Sequence, residues 1–309
     1  MKTQSMNAHV EYPNETMQLL FERSSCRSFQ EKIPEDVLSL VLEAGTHAPT
    51  AGNLQPYSII RIENARAKQK LAEMCEQRFI ARTPVLLMFC LDLHRNERWA
   101  NLEDAPYTAT SSFRHFWVSF QDTVICAQNI CTAADSMGLG SVYIGTVIDF
   151  PAEIQHMLKL PRAVFPVVML CIGYPTKRPK PRNKLGIKTI VHPEHYREMK
   201  DRELIAAFNE KYRTEDSRSQ KLPLSEEKLK TITNVCRRTH GENFAKKCAQ
   251  RIRANGYINI AQYYFGLHYK ADTMPLTNDK CLKLMEKSGL KWFKKYEPPV
   301  ATHKTRAHD

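Results

Sequence analysis

Three short stretches of this chain hold the residue types that binding chemistry needs. The first is Arg23-Ser24-Ser25-Cys26-Arg27-Ser28-Phe29. Guanidinium forks and serine hydroxyls both donate to phosphate oxygens, so arginines around paired hydroxyls suit an anion cradle. They equally suit an exposed helix end and its cap. The second is Ala48-Pro49-Thr50-Ala51-Gly52-Asn53-Leu54-Gln55-Pro56-Tyr57. Its prolines and glycine mark a loop. Thr50, Asn53 and Gln55 supply more hydrogen-bonding groups than a connector needs, with Gly52 where a ligand can approach the backbone closely. The third is Lys177-Arg178-Pro179-Lys180-Pro181-Arg182, four cations among six residues. Prolines hold them apart, so they lose little conformational entropy on meeting an anion; a solvated linker is the alternative.

The elements that must position these stretches are legible in the apolar pattern. A helix is expected over Met17 to Arg23, and another after Pro34, where Glu35 and Asp36 suit the positive end of the helix dipole. Tyr57 to Ile62 alternates as a strand, Ala65 to Arg78 reads as a polar helix, and Pro84 to Leu91 as a buried strand. Residues 92–110 read as loop. Apolar residues recur at three- and four-residue steps from Ser112 to Met137, with Ala, Ile and Val on the other side too, so this helix is expected to be buried on most faces as a core or interface element. Gly138-Leu139-Gly140 stops it. Ser141 to Thr146 then reads as a short strand and loop, Pro151 to Leu160 as a helix, and Val164 to Gly173 as another buried strand. Beyond residue 191 the chain is polar and helical by pattern, with a break at Glu215 to Gln220. The aromatic cluster Tyr257, Tyr263, Tyr264, Phe265 and Tyr269 reads as a packing stripe.

The totals narrow the class. With 42% hydrophobic and 25% charged residues, the 309-residue chain is ordinary for a globular protein. Its longest apolar runs fall far short of the roughly 20 residues that span a bilayer. The start of the chain has no apolar signal core, and nine cysteines without a CxxC pair point to reduced thiols and a cytoplasmic location. The net charge of +12 is uneven. Residues 1–174 hold 15 Lys/Arg against 18 Asp/Glu, and residues 175–309 hold 30 against 15. That basic half suits a solvated face, a phosphate-bearing ligand or nucleic acid. No zinc, RRM or helix-turn-helix pattern supports nucleic acid.

Together these stretches resemble the FMN-dependent nitroreductase family, most closely its NADPH-dependent oxygen-insensitive nitroreductases and flavin reductases. The likeness rests on Arg23 to Phe29, Ala48 to Tyr57, Gln77, Tyr143-Ile144-Gly145-Thr146 and Lys180-Pro181-Arg182, in that order. It implies an α+β fold with a small, mainly antiparallel sheet between helices, assembled as an intertwined homodimer with each FMN at the subunit interface. Residues 14–190 would form the FMN-binding core, and 191–309 a basic, mostly helical extension of the same domain that wraps the partner. By resemblance, Arg23, Ser24, Ser25 and Arg27 hold the flavin phosphate and ribityl chain. Pro49, Thr50, Asn53 and Gln55 line the isoalloxazine, and Gln77 reaches it from the end of its helix. Tyr143, Ile144, Gly145 and Thr146 cover one flavin face and offer backbone N–H groups. Lys180 and Arg182 complete the cationic cradle. Arg213, Arg218 and Lys221 are candidates for a 2′-phosphate contact.

The implied function is hydride transfer from NADPH or NADH through FMN to nitroaromatics, quinones or free flavin, by ping-pong kinetics and with no catalytic side chain or metal. A specialised member of the fold, with dehalogenating or flavin-fragmenting chemistry, is the alternative, and residues 92–110 are where it would differ.

Overall fold

A computed structural model describes residues 11–30, 32–213 and 221–298. The chain forms two compact units: one runs to Pro181 and resumes at Lys280, and the other is Arg182–Asp279. The division falls at 181 rather than 190, and the last part of the chain belongs to the first unit.

In the first unit, α1 (Glu15–Glu22) and α2 (Glu35–Thr46) precede β1 (Tyr57–Ile62) and α3 (Ala65–Met74). Then follow β2 (Val85–Asp92), α4 (His94–Leu102), α5 (Phe113–Ser136), β3 (Gly140–Ile144), α6 (Pro151–Leu158) and β4 (Val164–Gly173). The four strands pair antiparallel in the order β1-β2-β4-β3. β2 is central and buried along its whole length, as its unbroken apolar run requires. Its side chains alternate between two cores. Val85, Leu87 and Phe89 face a layer with α2 and α5, whereas Leu86, Met88 and Cys90 face one with α3 and α6. Each such side chain fully buried contributes about 1.5–3 kcal/mol.

Three expectations need correcting. Residues 92–110 contain α4, a polar helix that the apolar pattern could not reveal. Asp92 starts it by accepting the Arg95 N–H at 3.0 Å. α5 is buried along one side only: Phe113, Trp117, Phe120, Val124 and Ile125 are exposed. α3 also stops at Met74, short of Arg78, because Glu76 turns left-handed at φ 53°.

Asp92 is a testable joint. Its carboxylate also accepts the Ser58 hydroxyl at 2.5 Å and the Arg95 guanidinium at 3.0 Å. Burial pulls the Asp92 carboxyl upward, but these partners outweigh it and hold the pKa below the ordinary value. A lowered folded pKa gives stability above the unfolded value, lost as pH falls through the folded one. Asp92→Asn is therefore expected to lower stability by roughly 1–3 kcal/mol at pH 7. The deficit should shrink when denaturant midpoints are compared at acid pH.

The second unit holds α7 (Ile187–Ile190), α8 (Asp201–Lys211), β5 (Leu222–Pro223), α9 (Glu226–His240), α10 (Glu242–Asn255), β6 (Tyr257–Ile258) and α11 (Ile260–Tyr263). A π turn at Tyr264–His268 follows, and α12 (Asn278–Lys287) leads back to the first unit. α9 and α10 close over Leu229, Ile232, Ile252 and Ile258. Tyr263 packs on this core and Phe265 and Tyr269 are exposed, so the aromatic cluster is only partly a packing stripe. The break at 215–220, Arg218 and the chain from 299 lie outside the described residues.

Candidate functional site

The segment Arg23 to Phe29 is extended and laid against the sheet. The Cys26 N–H donates to the Ser141 carbonyl at 3.0 Å, and Ser25 bridges Ser141 in parallel with β3. Farther on, Gln30 N–H donates to the Tyr174 carbonyl at 2.8 Å, and Thr176 N–H to the Ser28 carbonyl at 3.1 Å. An extended backbone alternates its side chains. Ser24 and Cys26 point in and are buried, while Ser25 and Arg27 are exposed. Gly140 makes this close approach possible. A Cβ there would sit 2.7 Å from Cys26 Sγ and 2.9 Å from its Cβ. Burial pushes the Cys26 thiol up, so it is neutral packing and not a nucleophile.

Arg23 is committed within the chain. Its Nε donates to Asp135 at 3.2 Å and its Nη2 to the Ser141 hydroxyl at 3.4 Å. Arg178 approaches Asp135 from the other side at 2.9 Å and also donates to the Leu139 carbonyl at 2.7 Å. The Asp135 side chain is 2% exposed. One buried carboxylate at the end of α5 thus ties the first basic stretch to the third. Glu15 and Glu22 of α1 line the same shallow cavity, so the two guanidiniums here are balanced within the chain. Lys180, two residues beyond Arg178, is exposed.

Tyr143 leaves β3 half-buried, its hydroxyl donating to Gln128 of α5 at 3.4 Å. Burial raises its pKa. Ile144 is buried, and Gly145 caps a 3-10 turn over Thr146–Asp149. The first N–H groups of such a turn have no acceptor inside it. A Cβ at Gly145 would meet nothing within 4 Å, so the space above this backbone is open. Gln77 sits half-buried at the start of another 3-10 turn. Cys75 and Ile80, on either side of it, pack with Ile144 and Val147 in one core layer.

The Ala48 to Tyr57 loop is held at the other end of α5. Asp122, buried, accepts the Ala51 N–H at 3.2 Å. Asn53 and Gln55 strain it with φ of 54° and 44°, while Gly52 takes its φ of 58° without cost. A non-glycine residue held there costs about 1–3 kcal/mol, and Asn tolerates it best. Gln55 works as a brace. Its amide donates to the Thr46 carbonyl at 3.1 Å and the Tyr57 hydroxyl at 3.4 Å, while its N–H donates to the Thr50 hydroxyl at 3.3 Å. Pro49 and Asn53 are exposed and Thr50 half-exposed. A cavity of about 350 Å³ adjoins the loop, lined by Ala51, Leu54, Asn96, Tyr107, His115 and Asp122. Burial pushes the Asp122 carboxyl up against the opposing Ala51 N–H.

Asp122 and Asp135 are 13 residues apart on α5, so the loop and the Arg23 cluster stand roughly 20 Å apart along the helix axis. The structure bridges the Arg23 to Phe29 segment to β3 at Ser141, and β3 runs through Tyr143 and Ile144 into Gly145 and Thr146, with Cys75 and Ile80 on either side of Gln77 in the core layer beneath. It leaves Pro49, Thr50, Asn53 and Gln55 apart from them. Arg182 belongs to the second unit, where it is exposed and near enough to Tyr264 to lower the phenol's pKa, which burial and Tyr212 raise. Of the 2′-phosphate candidates, Arg213 is ion-paired to Glu210, and Lys221 lies over the Tyr257 ring at 4.5 Å.

Asp122 and Asp135 were not singled out from the sequence, and Arg178 only as one cation of the basic loop. The signal existed: Asp122 and Asp135 are the only acids on α5.

The architecture is an α+β fold whose sheet edge is lined with cations and hydroxyls. A profile of the Nitroreductase family matches residues 20–174. The chain is 32% identical over 186 residues to a Bacillus subtilis protein named FMN reductase (NAD(P)H), covering 59% of this chain and 75% of that one. It is 28% identical over 188 residues to the NADPH-flavin oxidoreductase of Vibrio harveyi, covering 60% and 76%. Among solved structures, NfrA2 of B. megaterium aligns with a TM-score of 0.69 and 25% identity, over 91% of this chain and 100% of that one. The chain belongs to the nitroreductase family.

Proposed function

We propose that this protein is an NAD(P)H-dependent FMN oxidoreductase that reduces nitroaromatics, quinones or free flavin. The observation that carries the reading is the extended segment of Ser25 and Arg27 bridged to β3 at Ser141, the strand that leads into the open Gly145 backbone, beside the Arg23–Asp135–Arg178 cluster. The names of the relatives agree with it.

The residues fit FMN. Ser24 Oγ is enclosed without a hydrogen-bond partner, a polar atom awaiting one. Ser25 and Arg27 donate outward from the extended segment and suit the phosphate, with Lys180 as a further cation. The Gly145–Thr146 turn offers N–H donors under open space, where a flat ring can lie. FMN, when bound, supplies two-electron hydride chemistry, and a cationic surround favours its reduced anion. The protein's task is to hold that ring with one face open to NADPH or NADH and then to the acceptor. Ping-pong kinetics follow from one shared face. No side chain acts as general acid or base.

A homodimer is supported by two features. The α5 aromatic stripe is exposed in the single chain, a patch of the kind that marks interfaces. The Thr50–Asn53 loop is roughly 20 Å from the Arg23 cluster, so a second copy's loop completes the flavin wall. The nine unpaired cysteines support a reducing compartment such as the cytoplasm. Among the described residues, no helix is long and apolar enough to cross a membrane.

The purified protein should be yellow, release FMN on heating, and lose its flavin colour on anaerobic titration with NADPH. A colourless protein that takes up no FMN on reconstitution would overturn the reading.

A further inference from the structure

We propose that a cavity within the second compact unit binds a small amphipathic monocarboxylate, with the acid on Lys247 and Arg251 and the apolar body between Phe244 and Phe265. The cavity lies between α9, α10 and the π turn and has a volume of about 490 Å³. Small-molecule sites run roughly 300–1,000 Å³. Its lining is largely apolar, from Ile232 and Val235 on α9 to Phe265 on the π turn. Phe244 and Phe265 are 48% and 56% exposed, two large aromatic rings open to water.

The backbone is built to make this space. A π turn is rare and costs regular hydrogen bonding, and here it carries Phe265 to the cavity. Gly266, next to it, approaches α9 so closely that a Cβ would meet Ile232 Cγ1 at 2.9 Å. At the base, Cys236 and Cys248 face the cavity together. Burial and the neighbouring thiol push Cys236 up to about 11, which leaves the base uncharged.

Charge decides the ligand's head. Lys247 and Arg251 are one turn apart on α10, a spacing at which like charges repel. Neither has an ion pair among the described residues, His240 adds a third basic group, and no acidic residue lines the cavity. A carboxylate relieves that repulsion. A bare phosphate leaves the aromatic walls wet, and a neutral hydrocarbon leaves the cations unpaired.

The test uses the full-length protein as purified and dodecanoate, dodecanol and inorganic phosphate as probes in calorimetric titrations below the micelle threshold. Dodecanoate is expected to bind one per chain, dodecanol at least tenfold more weakly, and phosphate not measurably. The double variant Lys247→Glu, Arg251→Glu changes two exposed side chains and should lose dodecanoate binding at least tenfold with an unchanged melting temperature. Phe265→Ala should weaken the acid and the alcohol alike. Equal binding of acid and alcohol, phosphate binding as tightly as dodecanoate, or full affinity in the folded charge-reversed variant would each overturn the proposal. Flavin content plays no part in these readings, so the outcome is independent of the oxidoreductase reading.

Discussion

Arg27→Ala is expected to weaken FMN retention roughly 10- to 100-fold, from the loss of a charged hydrogen bond worth about 1.5–3 kcal/mol. The side chain is exposed on an extended segment whose partners are backbone groups, so the fold should not notice. Flavin fluorescence during dialysis gives the affinity, and thermal melts of the flavin-free protein give the stability. Unchanged flavin occupancy would remove Arg27 from the site, whatever the enzyme's activity. Loss of flavin with an equal loss of stability would assign it a structural place instead.

Asp135→Ala should do both kinds of damage. The carboxylate is 2% exposed and is the shared partner of Arg23 and Arg178. Breaking a buried ion pair from one side costs roughly 3–5 kcal/mol, and because both guanidiniums reach solvent the low end applies. Denaturant melts should show that loss. Flavin affinity should fall as well, because Asp135 holds the end of the Arg23 to Phe29 segment to the loop that leads into Lys180. Asp135→Asn keeps the shape and part of the hydrogen bonding and should sit between. If Asp135→Ala melts early yet, once folded in the cold, holds FMN at the wild-type affinity, Asp135 stabilises the fold without positioning the cradle.

These two residues also mark the boundary of what the sequence can show. Arg27 stood out as a candidate because its neighbours are chemically specialised and contiguous. β1 and β4 were legible to the residue, since period-two alternation and an unbroken apolar run have few other readings. Asp135 is 112 residues from Arg23, and only folding brings them together. α4 was hidden for a different reason: His94 to Leu102 has no apolar stripe, so its start depends on a cap by Asp92. The cover of the α5 face was left open because Phe113, Trp117 and Phe120 have the same period whether they meet a core or a partner. Periodicity reports a face and not what covers it. The 181 boundary was equally invisible, since the basic loop there continues in composition on both sides.

The fit of Gly140 against Cys26 has a consequence for how this segment can change over time. Any side chain at 140 would collide with the residue at 26, and a longer side chain at 26 would meet the strand beneath it. Position 140 is therefore tied to position 26: a side chain at 140 is tolerable only when the residue at 26 gives way. The Arg23 to Phe29 segment keeps its alignment to β3 through a shared shortage of space, and among relatives that shortage should be readable as paired change at two sites 114 residues apart.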